Sequence, residues 1–207
     1  IRDRTNSDKK TEKVLINELT KNKKKYSILS EEIGFIKNDD NDYIWVIDPI
    51  DGTTNFLHGI PHFCISIGLK FKDEIISGII FDPIKNEIFY AEKNQGAFFN
   101  NHRIRVSKRK NLDECLFATN KNGLSSSDLN ARIFGSAALD LAYVASGRID
   151  GYFQNDLNLW DIAAGTLIVK EAGGIVNSYD SEKTNNIKLV ASSENINEKM
   201  LKRLNKF

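Results

Sequence analysis

Residues 45–55 read WVIDPIDGTTN. Trp45-Val46-Ile47 is the text of a buried strand, yet it runs into Asp48 and Asp51 around Pro49, with Gly52, Thr53 and Thr54 directly behind. Asp is disfavoured inside strands and Pro removes a ladder hydrogen bond, so Asp48-Pro49 is expected where the strand leaves its sheet. Proline also keeps the residue before it extended. Two carboxylates and the intervening Ile50 carbonyl can then converge on one point. Oxygen ligands without His or Cys suit a hard cation such as magnesium, manganese or calcium. Gly52 and Thr53 can open a helix or turn whose amides bind a phosphate beside that cation. An Asp-Pro turn with a capping Asp accounts for the same residues as ordinary loop chemistry, and the stretch alone leaves both readings standing.

Two further acidic positions are ambiguous in the same way. Glu31-Glu32 follows Ser27-Ile28-Leu29-Ser30, and a Glu-Glu pair is most often a solvated edge. Asp161, between Trp160 and Ile162-Ala163-Ala164-Gly165, fits a helix cap, and from the same place could aim a carboxylate at a cation near the helix end. His58, His62 and His102 are too scattered for a zinc triad or a proton relay. Cys64 and Cys115 read as small buried hydrophobes.

The elements that would position these groups follow from periodicity. DKKTEKVLINELTKNKKK (8–25) reads as one amphipathic helix, with Asp8 a possible N-cap and lysines gathered at its C-terminal end. YIWVID (43–48) and the alternating HFCISIGLK (62–70) are strands, the second with both faces covered. EIISGIIFDP, NEIFYAEK, GAFFNN and HRIRVS form an antiparallel meander punctuated at Pro83 and Gly96. After ECLFAT (114–119) the polar NKNGLSSSDLN reads as a loop or boundary between halves of about 1–119 and 120–207 within one domain. SAALDLAYVASG and WDIAAGTLIVKEAGG are helices apolar nearly all round, each expected between layers, the second capped at Gly173-Gly174. Strands near IDGYF, GIVNSY and IKLVAS and a last helix, ENINEKMLKRL, complete a layered α/β (α+β) chain without internal repeats.

The 207 residues carry 29 Lys+Arg against 28 Asp+Glu, so no global field recruits nucleic acid or an anionic membrane, and charge-based function must be local. Two cysteines without a CxxC spacing suggest neither a zinc site nor a disulfide framework, but a reducing, cytoplasmic setting. No apolar run reaches the ~20 residues of a membrane helix, and IRDRTNSDKK lacks the apolar region of a secretory signal. A soluble protein is expected.

WVIDPIDGTTNFLHG, preceded by SEE and followed far downstream by WDIAAGTLIVKEAGG, resembles the inositol monophosphatase-like family of magnesium-dependent, lithium-sensitive phosphatases, in particular its bacterial inositol-1-monophosphatase branch of the extragenic suppressor type. The resemblance runs from TNSDKKTEK through GSAALDLAYVASGRIDGYF to the end of the chain. It implies an α/β/α/β sandwich, hydrolysis of a small polyol or sugar phosphate by water without a covalent intermediate, two or three Mg2+ ions, and a homodimer. By the same resemblance Glu31, Asp48, Ile50 through its carbonyl, Asp51 and Asp161 are the metal ligands. Thr53, with Asp8 as acidic partner and Glu31 beside them, activates the water. Gly52 and Thr53 supply phosphate-binding amides, and Gly135, Ser136, Ala137, Gln154, Asp51 and Asp161 meet the substrate. Such clustered carboxylates are tolerable only with the cations present, so an ion-free site is expected to be weakly ordered.

The chain departs from the family in places. Gln154 stands seven residues before Asp161, where the family has a glutamate; an amide still hydrogen-bonds a hydroxyl but lacks the carboxylate's acceptors and charge, which leaves phosphatase chemistry intact and opens the substrate to fructose-1,6-bisphosphate, histidinol phosphate, nucleotide 3′-phosphates or glycerol phosphates. Ser30 replaces a frequent glycine. The family's additional helix before TNSD and its longer stretch between FATN and GSAA have no counterpart here, so segments are expected to be lacking ahead of residue 5 and near Asn120–Leu129. Two rival readings exist. D-P-I-D-G-T is one residue out of step with the D-x-D-G-T of haloacid dehalogenase-like phosphatases, whose first Asp is a nucleophile. A role in an RNA or transcription complex would rest on KNKKKY (21–26) and SKRK (107–110), which lack aromatic interleaving.

Overall fold

The computed structural model describes residues 2–22, 26–120, 129–180 and 187–204. The polar run near 121–128 and the lysines at 23–25 lie outside the described residues.

Helix α1 (Arg2–Asn22) opens the chain. It begins well before Asp8, which is therefore not an N-cap: it lies within the helix and is 3% exposed. The first sheet follows as β1 (Tyr26–Ser30), β2 (Gly34–Ile36), β3 (Asp40–Asp51), β4 (Cys64–Phe71), β5 (Glu74–Asp82), β6 (Glu87–Glu92), β7 (Gly96–Phe99) and β8 (His102–Arg103), with the short α2 (Thr53–Leu57) between β3 and β4. Its order is β2-β1-β3-β4-β5-β6-β7-β8. β1 and β3 run parallel, with Ser30 opposite Ile47, while β4 to β8 form the expected antiparallel meander.

The second sheet comprises β9 (Phe117–Ala118), β10 (Ala131–Arg132), β11 (Gly151–Leu157), β12 (Gly174–Asp180) and β13 (Ile187–Ser193), ordered β10-β9-β11-β13-β12. Helices α3 (Ala137–Ala145) and α4 (Leu159–Glu171) lie between the sheets, touching β4 and β5 on one side and β13 on the other, and α5 (Glu194–Arg203) covers the outer face of the small sheet. The all-round apolar text of α3 and α4 is thus explained by two covered faces. Helix α5 is covered on one face only, burying Ile196, Met200 and Leu204 and leaving its lysines in solvent. Helix α4 ends one residue earlier than its double glycine suggests: Ala172 is the cap, Gly173 takes the left-handed turn (φ 84°), and Gly174 already starts β12.

The alternation in β4 resolves in an unexpected sense. Its small residues Cys64, Ser66 and Gly68 are the fully buried side, while Ile65, Ile67 and Leu69 are half-buried on the other. The reason is the approach of α4. A methyl added at Gly68 would stand 3.0 Å from the Ala163 Cβ, and one at Gly78 on β5 only 2.8 Å from the Ala164 Cα. Small residues on both elements let helix and sheet meet backbone to backbone, and that contact sets the depth at which the N-terminus of α4, with Asp161, sits beside β3.

Candidate active site

Strand β3 does not end at Asp48. It continues through Pro49 to Asp51, which pairs with Cys64 after a register shift between Asp48 and Asp51. The strand tolerates its proline because a bulge needs no ladder donor there. Past the bulge, Asp51 meets the N-terminus of α3.

Each carboxylate is held differently. The Asp48 Oδ1 accepts the Ile50 amide (3.1 Å). The Asp51 Oδ2 accepts the Ser136 hydroxyl (2.6 Å) and the Ala138 amide (2.7 Å), with the Cys64 thiol at 3.8 Å. Asp161 is the third residue of α4 and completes a capping box, its Oδ2 accepting the Asn158 amide at 2.7 Å. The cap reading and the site reading of Asp161 are therefore compatible. Glu31 sits exposed in the turn between β1 and β2, its amide bonded to the Ile47 carbonyl, one residue from Asp48.

Electrostatics tie these groups together. Burial pushes the Asp48 carboxyl well above the usual range, and the charges of Asp51, Glu31 and Asp161 push it further. Burial raises Asp51 too, against the pull of the Ser136 and Ala138 donors. Asp161 is raised to about 7, chiefly by burial, with Asp51 and Glu31 adding to it. The charges bearing most on Asp48 are all negative, which is a place for a cation. The all-oxygen donor set fits magnesium or a similar hard ion. Among the described residues no three His, Cys, Asp or Glu side chains stand close enough to form a closed ion cage.

At the end of β3, Gly52 (φ 90°) introduces α2, whose first internal hydrogen bond is Phe56 N–H to the Gly52 carbonyl (3.0 Å). Gly52 is required twice over: its left-handed backbone excludes most side chains, and a Cβ would lie 3.1 Å from the His62 carbonyl and 3.2 Å from that of Gly135. The Thr53 hydroxyl donates to the Ile50 carbonyl (3.0 Å). Asp8 is buried on α1, where its helix neighbours Ser7 and Thr11 line a groove with Pro49 and Ile50.

Asn55 fastens the two halves of the site, its amide donating to the carbonyls of His62 and Phe134 (2.8 and 2.7 Å). Gly135, Ser136 and Ala137 border a cavity of about 260 Å³ with Asp51, Gln154 and Asp161. Ser136 is also the N-cap of α3. Periodicity and motif did not single out three residues of this cavity, Thr119, Asn120 and Asp140. The Asp140 Oδ1 is buried without a hydrogen-bond partner. Its position in the first turn of an apolar helix was the available signal. The Tyr152 hydroxyl donates to the Gln154 Oε1 at 2.7 Å. His62 stands aside from the acids, packed on Phe134 and Tyr143.

Two sheets with a helical layer between them, and buried carboxylates gathered where the end of β3 meets the N-termini of α3 and α4, define the class, an α/β protein built around an all-oxygen acidic centre. The family follows from comparison. The model of the Inositol monophosphatase family matches residues 4–206, and the chain belongs to that family, one of phosphatases that generally depend on a metal. The inositol-1-monophosphatase of Caulobacter vibrioides is 39% identical, the match covering 97% of this chain and 86% of the relative. A Nus factor SuhB of Escherichia coli (strain K12) is 42% identical over 84% of this chain and 71% of that protein. The crystal structure of the extragenic suppressor protein suhB from Bartonella henselae superposes with a TM-score of 0.91 at 43% identity, covering 98% of this chain and 89% of that one.

Proposed function

We propose that this protein is a magnesium-dependent phosphomonoesterase acting on a small polyol or sugar phosphate, with inositol 1-phosphate the first candidate. The observation that carries this reading is that Asp51 at the end of β3 and Asp161 in the first turn of α4 line one cavity beside the buried Asp48; burial raises all three carboxyls, and neighbouring carboxylates raise Asp48 and Asp161 further. Mg2+ ions held by Glu31, Asp48, the Ile50 carbonyl, Asp51 and Asp161 would supply positive charge against the phosphate and acidify water for attack.

The chain's own residues do the rest. Ser136 and the Ala138 amide orient Asp51. Thr53, whose hydroxyl donates to the Ile50 carbonyl, and the buried Asp8 would take the proton of the attacking water. Gly52, Thr53 and the open first turn of α2 offer amides to the phosphate oxygens. Gly135, Ala137, Gln154 and the far sides of Asp51 and Asp161 face the polyol. We read residues 1–207 as a single domain acting as a homodimer, and the setting as cytoplasmic; among the described residues no helix is long and apolar enough to cross a membrane.

Phosphate release from a panel of inositol, fructose, histidinol, nucleotide and glycerol phosphates, with Mg2+ and with or without Li+, tests the proposal. Mg2+-dependent, Li+-suppressed turnover on one substrate is expected; no release on any would refute it. A stable adduct with aluminium or beryllium fluoride on Asp48 would favour the haloacid dehalogenase route instead.

A second reading, partnership in a transcription complex, draws on the name of the Escherichia coli relative. The structure adds one feature: Lys199 and Asn195 of α5 donate to the Lys110 and Lys108 carbonyls, laying the SKRK run along the first half of that helix, upstream of its basic last turn (Lys202, Arg203). An RNA titration with a steep salt slope would support it.

A further inference from the structure

We propose that Glu12 is a positioning residue for the acidic centre, its carboxylate holding the turn that carries Glu31. The inference rests on the metal reading given above. Glu12 lies on α1, one turn after Asp8, and is fully buried at 0% exposure. Its Oε1 accepts two hydrogen bonds, from the Ser30 hydroxyl and from the Ile33 amide at 3.3 Å. Those two donors bracket Glu31 and Glu32, so one oxygen pins both ends of the turn.

The β1–β2 ladder closes the turn from the strand side, with Ser30 opposite Gly34. Glu31 and Ile33 are exposed, and the backbone tie at its start is the Glu31 amide on the Ile47 carbonyl (3.3 Å). Ser30 pairs with Ile47 in parallel register, which sets Glu31 beside Asp48. A carboxylate in this place is costly to the fold, because its Oε2 is buried without a hydrogen-bond partner. Packing alone would be met better by an apolar side chain. The same contact gives Ser30 a role: a glycine there has no hydroxyl for Glu12.

Calorimetric titration of the full chain with Mn2+ alone tests this. Groups that orient metal ligands are worth about 10–100-fold in metal affinity; Glu12 acts on the turn and not on Glu31 itself, so Glu12→Ala is expected at the low end of that range, weakening Mn2+ binding by about tenfold, and Ser30→Ala, which removes one of the two bonds, by about fivefold. Glu12→Gln keeps one oxygen for both bonds and is expected within about twofold of the wild type. A purely structural role would lower the unfolding midpoint and leave the affinity of folded protein unchanged. Wild-type affinity in Glu12→Ala and Ser30→Ala, or Glu12→Gln as weak as Glu12→Ala, overturns the proposal. Should Glu12→Ala not fold, Ser30→Ala decides. Asp48→Asn separates the two readings: affinity lost there and kept in the Glu12 and Ser30 variants removes the positioning role and spares the metal site, while a wild type that binds no Mn2+ removes both.

Discussion

The Ser136 hydroxyl donates to the Asp51 carboxylate at 2.6 Å across 85 positions of sequence. The bond joins the end of β3 to the first turn of α3, so the large sheet and the helical layer are registered on a candidate metal ligand. Ser136→Ala removes a charge-assisted bond and a helix cap together. A loss of roughly 2–3 kcal/mol in denaturant unfolding is expected, with lower phosphatase activity because Asp51 loses its orientation. Activity retained alongside the lost stability would mean that the bond is architectural only.

Asp48→Asn divides stability from function. The native carboxylate is buried and repelled by three neighbours, so a neutral isostere relieves the metal-free fold. The variant should melt higher than the wild type in EDTA, yet lose more than about a hundredfold in turnover, since even indirect partners of a metal ligand are worth up to that. Turnover unchanged on every phosphate ester would remove Asp48 from the proposed chemistry.

The pH dependence of stability follows from the same groups. Asp161 is held at about 7 against an ordinary 3.8, and Asp48 and Asp51 are also raised. A carboxyl whose folded pKa exceeds its unfolded one binds its proton more tightly when folded. Its stabilising contribution is therefore present at acid pH and lost as pH climbs from the unfolded value toward the folded one. In EDTA, Asp161 should cost the protein stability between about pH 4 and 7, and Asp48 and Asp51 act in the same direction. Added Mg2+ should raise the melting temperature more at pH 7.5 than at pH 5, and Asp161→Asn should shrink that difference. A Mg2+ effect equal at both values would count against these ligands.

What sequence disclosed here was what lies close along the chain. Asp48, the Ile50 carbonyl, Asp51 and Gly52 sit within five residues, and local sterics already point them at one place. Asp8 reads as a possible cap because a polar residue in a lysine-rich run looks like a helix start; its burial comes with the packing of α1 on β3, which local text cannot announce. Pro49 reads as a strand end, but the bulge accommodates it within the pairing. The Ser136 bond to Asp51 and the contact of Glu12 with Ser30 are products of packing between elements, and periodicity shows only that those residues lie on buried faces. In β4 the apolar residues marked the less buried face, since the closest helix approach selects glycine and alanine over bulk.

The approach of α4 to the large sheet yields a stability prediction remote from the acids. Gly78→Ala would put a methyl 2.8 Å from the Ala164 Cα and 3.0 Å from its carbonyl oxygen. Neither is the end of a flexible side chain, so the helix must shift. A cost of about 1–3 kcal/mol is expected, together with reduced activity, because Asp161 moves with α4. Unfolding curves and kcat/KM measured on the same preparation would check whether the two losses travel together.

In the proposed function, Gln154 is the candidate selector of substrate. With the Tyr152 hydroxyl on its Oε1, the amide keeps one acceptor site and presents its NH2 as donor, where a glutamate would present a second acceptor oxygen to polyol hydroxyls. Gln154→Glu should therefore raise kcat/KM for inositol 1-phosphate relative to a generic phosphate ester by about tenfold, the scale of one gained polar contact. Tyr152→Phe frees the amide to turn and should blunt discrimination between the two substrates, chiefly through KM, while leaving kcat on the generic ester near that of the wild type. If both variants keep the wild-type ratio of rates, position 154 does not select the substrate, and the search moves to Thr119, Asn120 and Asp140 across the same cavity.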